Sequence, residues 1–475
     1  MSELARVGGV VGALGLAVVI VGPRPVWRFG GLLAWAFGCA TLALWLAPKG
    51  HDRVYAAASV VGLVAAAALA WLFRRVPWSL AVAVLACAPA RIPVSVGDTK
   101  ANLLLPIYLV VAATALMLAW EWFRGDTRRG ELGLVTWPLA LLVAWTGVSF
   151  AWSVDHRQGA IFLLFFVLPF GLLAVGLARL PWRLGWVKVL YVQLAAMAVV
   201  FAGIGTWQYA TRDIFWNPKV SVDNAYAPSS WFYRVNSVFY DPSIYGRFLV
   251  VAILASVAVL LFTRGTVALA ALVAAVATWI GLVPSFSQSS FVALGAGAVV
   301  AVAVLWWHRA VLILAVVLTV LAAATFTAYA AANGFERATG GRARLVSNGV
   351  KVALDHPVVG VGAGGFRRAY ADRVGLKGRE PKAAVSHDTP VTVAAETGIV
   401  GIALFAWLLA AAAITPMRRW TSGPIGWARL AFGLGLLAIV VHSLFYDSLF
   451  EDPLFWGLLA LGAVAARAAE AEAAA

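Results

Sequence analysis

Apolar residues recur along this chain in long runs, each closed by a short polar turn. The runs fall near 8–22, 29–47, 54–73, 77–90, 103–121, 133–151, 159–178, 185–209, 243–263, 266–283, 290–307, 310–331, 389–414, 425–446 and 453–467. Most are long enough to cross the ~30 Å hydrocarbon core of a bilayer as helices, which takes about 20 residues. A helix is the expected form, because backbone polar groups in lipid must be satisfied within their own segment. The pattern predicts an all-α, polytopic transmembrane helix bundle of about 12–15 spans. It forms one integral membrane domain over 1–475. The run from Gly8 to Val21 lacks a small-residue cleavage site and another run follows at once, so it reads as a retained span rather than a signal peptide.

The turns between runs are of two kinds. One set is tight and basic, carrying Arg24 and Arg28, Arg74 and Arg75, Arg124, Arg128 and Arg129, Arg179 and Arg183, Arg264, Arg309, and Arg418 and Arg419. Lys and Arg bias of this kind marks cytoplasmic turns. The alternate turns hold the polar, elaborate material, including a smaller loop at 210–242 and a large one at 333–387. These are expected on the extracytoplasmic side.

Within 333–387 the hydrophobic pattern stops and charge gathers. Arg337, Arg342, Arg344, Lys351, Arg367, Arg368, Arg373, Lys377, Arg379 and Lys382 face only Glu336, Asp355, Asp372, Glu380 and, at the edge, Asp388. An external loop needs no positive charge for orientation, so the excess is either solvated surface or a site for an anion. Ala343 to Asp355 reads as a short amphipathic helix. Arg344, Asn348, Lys351 and Asp355 form its polar stripe, and Pro357 ends it.

Composition agrees with the membrane reading and narrows the chemistry. The chain is 63% hydrophobic and 12% charged, against roughly 25% charged in soluble domains. The formal charge of +15 would suggest nucleic acid in a soluble chain; here the bias of cytoplasmic turns accounts for much of it. Cys39 and Cys87 both lie in apolar runs and offer neither a disulfide framework nor a metal pattern. There is no phosphate-binding Walker loop, no H-E-x-x-H and no acidic D-x-D pair, so neither metal nor cofactor is expected.

Three segments could carry chemistry. Arg234 lies just ahead of Asp241-Pro242, which opens a span, and Arg247 falls in that span's first turns. Arginine suits a diphosphate because its planar fork gives bidentate, permanently charged hydrogen bonds. A charge inside a span is expensive and usually faces a cavity or a partner, although snorkelling to the interface is the plainer alternative. His387-Asp388 joins the basic loop to a span carrying Glu396 and could accept a proton from a hydroxyl near neutral pH. His442, by contrast, reads as a hydrogen-bonded helix residue. Gly360, Gly362 and Gly365 fit a G-x-G-x-x-G spacing, but there is no room for a strand–helix–strand unit. They read as a turn that lets backbone pack closely at the bundle mouth.

His387-Asp388, nine residues, then Gly398-x-x-Gly401 resembles the signature of the O-antigen ligase and O-antigen polymerase superfamily. Asp355-His356-Pro357 with Gly360-Val361-Gly362, and Arg234 with Asp241-Pro242, are similar to further segments of that family, over roughly 207–405. Two departures stand out. Asp388 takes the place of a commoner neutral polar residue, and Ser285 to Ser290 stands where many relatives carry a Ser-Arg pair. The resemblance implies a metal-independent, inverting membrane glycosyltransferase of the GT-C class, in the bacterial cytoplasmic membrane with its site facing outward. Its donor would be a glycan on a polyprenyl (undecaprenyl) diphosphate, its acceptor a hydroxyl of a glycan, lipid or protein. By the same implication Arg234, Arg247 and Arg342 or Arg344 would hold the diphosphate and His387 would be the base, with Asp388, Glu396 and Asp241 in support. A transporter of polysaccharide or lipid-linked sugars is the rival. It would need a continuous polar path and inverted repeats with broken helices, and no clear internal repeat is present.

Overall fold

The computed structural model describes residues 3–47, 52–96, 99–128, 132–215, 217–225, 232–306, 342–375, 386–417 and 424–474. They form a helical membrane bundle. Eleven of its helices are long and apolar enough to cross a bilayer, of 19 to 28 residues each. At 1.5 Å per residue, even 19 residues reach roughly 28 Å. The run predicted at 310–331 lies outside the described residues, as do Glu336, Arg337, Lys377, Arg379, Glu380 and Lys382.

Burial separates inner from outer helices. His156–Ala178 and Pro242–Phe262 are each 83% buried, whereas Leu184–Thr211 and Gly265–Ser285 are 22% buried and turn apolar side chains outward. Outward apolar side chains are what lipid contact requires. Near the N-terminus, Glu3–Val21 packs on Pro25–Leu46 through small residues. A Cβ on Gly12 would stand 3.0 Å from Gly38 Cα, and one on Gly15 would stand 2.6 Å from Gly31 O. Such close approach gives van der Waals contact where lipid offers no hydrophobic drive.

Two segments differ from the sequence reading. The run at 77–90 becomes a nine-residue helix, Ser79–Cys87, too short to span by itself. It is followed by an antiparallel hairpin of Ile92–Val96 with Thr99–Leu103, in the register Ile92 to Leu103 and Val96 to Thr99. The hairpin is an addition to an otherwise helical class. Ile92, Val94 and Val96 alternate with Pro93 and Ser95, a strand signal set between two strongly apolar runs.

The large loop contains Arg342–Asp355, the predicted amphipathic helix, and a short one, Phe366–Arg373. Arg342–Asp355 packs on the first turns of Thr389–Met417, where Gly349 meets Val391. Arg373 and Asp355 form an ion pair between the two loop helices.

Candidate active site

The Thr389–Met417 helix is not continuous. Gly398 takes φ +65° and ψ −162°, and the break leaves carbonyls inside the helix without their usual partners. The glycine-rich turn supplies substitutes. Val361 N donates to Ala395 O and Gly362 N to Glu396 O, both at 2.9 Å, while Ile399 N donates to Pro357 O at 2.8 Å. Trp145 Nε1 donates to Thr397 O at 2.9 Å. The two strands of backbone are so close that a Cβ on Gly398 would stand 2.2 Å from Val358 O. Glu396 completes the join: its carboxylate accepts from Gly364 N at 2.9 Å and from Phe366 N at 3.2 Å, at the start of the short loop helix. Its observed part is therefore to anchor that helix.

His387 sits immediately before the same helix, half-buried, with φ +55°. A non-glycine residue in this region is held at a cost of order 1–3 kcal/mol, a kind of strain that clusters at functional sites. The turn is fixed on both sides of the histidine. Ser386 Oγ accepts from Asp388 N at 3.0 Å and donates to Asp388 O at 2.8 Å, and it lies 2.6 Å from Thr392 Oγ1. Asp388 caps the helix by accepting from Val391 N at 2.9 Å, and burial pushes its carboxyl above the usual range.

Asp447, which the sequence reading did not single out, continues this network. Thr389 Oγ1 donates to it at 2.9 Å and Thr392 Oγ1 at 2.5 Å. Burial raises the Asp447 carboxyl, the two threonine hydroxyls lower it, and the charges of Glu451 and Asp388 raise it further. Asp447, Thr389, Thr392, Glu396, Arg367 and Gln158 line a half-open cavity of about 170 Å³, walled also by Phe450 and Trp456.

Asp447 belongs to the short loop between Pro424–Ser443 and Pro453–Ala474, which ties three parts of the molecule together. Arg91 Nη2 donates to Glu451 O at 3.1 Å. Arg247 Nη1 donates to Ser448 Oγ at 2.8 Å, and Arg247 Nη2 lies 2.8 Å from Asp452 Oδ2. The latter is an ion pair by distance, although the Nη2 protons are not aimed for a hydrogen bond. Arg247 is 1% exposed and Asp452 5%. Arg247 is thus already neutralised inside the bundle.

Arg234 and Arg342 stand differently. Arg234 Nε donates to Ser285 O at 3.2 Å, and its backbone is held by Asn224, whose Oδ1 accepts from Arg234 N at 2.8 Å. Arg342 is half-buried, and its guanidinium is made less basic by burial and by the nearby charge of Arg234. Among the described residues neither arginine has an acidic partner. Arg344 lies two positions on and is exposed. Asp241 caps Pro242–Phe262 by accepting from Ser243 N at 2.7 Å. Ser287, Ser289 and Ser290, in the segment that departs from the Ser-Arg pair of the resemblance, form a buried hydroxyl cluster, and Ser289 Oγ is 2.9 Å from His442 Nε2. His442, read from sequence as a hydrogen-bonded helix residue, is one, and it also feels the charges of Arg247 and Arg342.

These features define a multi-pass helical membrane protein with a polar rim. The turn that carries His387 adjoins a small carboxylate-lined cavity through Thr389, Thr392 and Asp447, and Arg234 and Arg342 lie near each other without an acidic partner among the described residues. Residues 249–406, about a third of the chain, match the family model described as O-antigen ligase, which supports the O-antigen ligase and polymerase family for this chain. The matched segment includes Arg342, His387, Glu396 and Gly398; Arg234, Arg247 and Asp447 lie outside it. No curated protein matches the chain.

Proposed function

We propose that this protein transfers a glycan from a polyprenyl diphosphate to an acceptor hydroxyl on the outer face of the bacterial cytoplasmic membrane, acting as a ligase or a polymerase. The observation that carries the reading is the Arg234–Arg342 pair. Two like charges from distant stretches lie near each other, both half-buried, and among the described residues no acid offsets them. An anion placed between them would relieve that cost, and a diphosphate fits the fork geometry of both.

In this scheme His387 takes the proton of the acceptor hydroxyl as its oxygen attacks the anomeric carbon. The bond from that carbon to the diphosphate oxygen breaks, and the leaving diphosphate gains charge that Arg234 and Arg342 stabilise without reorganisation. Attack opposite the leaving group inverts the anomeric centre. Arg344, exposed two positions beyond Arg342, is the remaining candidate for the donor's diphosphate. Arg247, paired with Asp452, braces the 444–452 loop from within the bundle and does not touch the donor. The cavity beside Asp447 is smaller than the roughly 300 Å³ of common small-molecule sites, which suits the reacting end of a glycan. The orientation rests on the basic turns. Arg28 Nη1 and Arg179 Nη1 both donate to Arg128 O, and Arg74 stacks on Trp120, so these turns gather at the end away from His387.

The test is transfer with purified protein and a lipid-linked donor. His387→Ala is expected to abolish product while the donor stays bound, and Arg234→Ala or Arg342→Ala to weaken donor binding at least tenfold. Undiminished transfer by His387→Ala removes the base from the scheme.

A further inference from the structure

The end of the bundle opposite His387 carries a second cluster of arginines that glycan transfer does not use. Leu105–Phe123 starts near the 444–452 loop, where Tyr108 lies close to Arg91 and Glu451, and its 19 residues run to the far end. There it meets the end of Asp52–Arg75. Arg74 and Arg124 both stack on Trp120, at 5.1 and 5.7 Å from the ring centre, and Arg75 stacks on Trp71 at 5.4 Å.

The two acids nearby are already engaged. Arg128 binds Asp126 through Nε and Nη2, and Arg179 Nη2 lies 2.8 Å from Glu121 and 3.2 Å from Asp126. That leaves Arg74, Arg75 and Arg124 with aromatic rings and, among the described residues, no carboxylate. They border an open cavity of about 440 Å³. Its volume falls within the roughly 300–1,000 Å³ of small-molecule sites, too large for a lone phosphate. Trp71 and Trp120 are 59% and 47% exposed on the flank that faces lipid. Exposed tryptophans mark the depth of the headgroups, so the cavity opens where phospholipid phosphates lie.

We propose that this cavity binds the headgroup of an anionic phospholipid bearing two phosphodiesters, in the leaflet that the orientation above makes cytoplasmic. The guanidinium forks grip the phosphate oxygens, the indoles hold the forks flat, and the acyl chains run along the apolar flank beside Trp71 and Phe123. Basic pockets between membrane helices on the cytoplasmic side take such headgroups. The site stands apart from the glycan-transfer residues.

Native mass spectrometry of the full chain in detergent, titrated with cardiolipin or phosphatidylcholine, tests this directly. Wild type should hold cardiolipin through delipidation and show no comparable phosphatidylcholine adduct. Arg74→Ala with Arg124→Ala should weaken cardiolipin binding about 30-fold, as expected for two charges at a membrane surface. Arg183→Ala with Arg264→Ala, in basic turns away from the cavity, should leave it unchanged. The melting temperature of each variant, measured alongside, separates lost binding from a weakened fold, and Arg74→Lys with Arg124→Lys should restore part of the affinity. Equal cardiolipin retention by wild type and the double alanine variant overturns the proposal. So does full displacement of cardiolipin by millimolar inorganic phosphate, which would make this a site for a free anion.

Discussion

Replacing Asp452 with asparagine isolates the charge that holds Arg247. The guanidinium is 1% exposed, and among the described residues its one acidic partner is Asp452, 2.8 Å away and itself 5% exposed. Asp452 has a second task, accepting from Leu454 N at 2.9 Å at the start of Pro453–Ala474. Asparagine keeps that oxygen and is as good a helix cap as aspartate. What the substitution removes is the negative charge alone. Stranding a buried charge by deleting its partner costs about 3–5 kcal/mol, or about two to three and a half decades in the folding equilibrium. Removing both charges is far cheaper, because a buried pair exchanged for apolar volume is often neutral. Arg247→Met with Asp452→Asn should therefore recover most of the loss.

The assay is unfolding in mixed micelles, followed by tryptophan fluorescence, on wild type, both single variants and the double. A coupling of at least about 2 kcal/mol between the two positions is expected, well above the few tenths found for independent sites. Donor binding by the double variant then separates two roles for Arg247. A brace can be replaced, so the refolded double variant should bind donor like wild type; an arginine that grips the diphosphate cannot. A cost below 1 kcal/mol for Asp452→Asn, or a double variant no better than the single, would refute the brace.

Gly398→Ala places a methyl 2.2 Å from Val358 O at φ +65°, and the left-handed conformation alone costs about 1–3 kcal/mol; a thermal melt should show a loss above that range. Glu396→Ala deprives Gly364 N and Phe366 N of their acceptor, for about 1–3 kcal/mol per unsatisfied group, with Glu396→Gln milder. Protease sensitivity around Phe366–Arg373 reports the difference. Asp447 sets a pH dependence: its folded carboxyl is raised above the ordinary 3.8, so its contribution is greatest below that value and is lost as pH rises through the folded one. The stability of wild type relative to Asp447→Asn should accordingly fall from pH 4 upward, and a flat or rising difference contradicts the assignment.

The spans were legible because lipid imposes one rule that sequence shows directly, a long apolar run with its hydrogen bonds inside it. The run read as 243–263 is the helix Pro242–Phe262, and 266–283 is Gly265–Leu282. The amphipathic helix was legible from its polar stripe. The 444–452 loop was not, because its meaning lies in partners far along the chain: Arg91 is 360 positions from Glu451, and Arg247 is 201 from Ser448. No local periodicity encodes such pairs. Three acids within six residues of a chain poor in acids, Asp447, Glu451 and Asp452, were the available signal. Arg247 shows the converse: an arginine inside a span does need a partner, yet the partner proved to be a carboxylate of the chain itself.

The spacing from His387 to Gly398 and Gly401 mixes chemistry with architecture. Gly398 breaks the helix, and the freed carbonyls of Ala395 and Glu396 are taken by Val361 N and Gly362 N. Gly401 leaves room for Thr397, whose hydroxyl a Cβ there would strike. Gly398 thus stitches the loop to the helix, Gly401 makes room within the helix itself, and neither carries a reacting group. Only the histidine end of the pattern offers a proton acceptor. That end is held from the other direction, by Ser386, Thr392 and Asp447 in sequence. The imidazole turn is thereby fixed between two anchors, one in the loop and one in the 444–452 segment. Under the proposed function, loosening either should lower the transfer rate before it weakens donor binding, since Arg234 and Arg342, assigned there to the donor, stand outside the His387 turn.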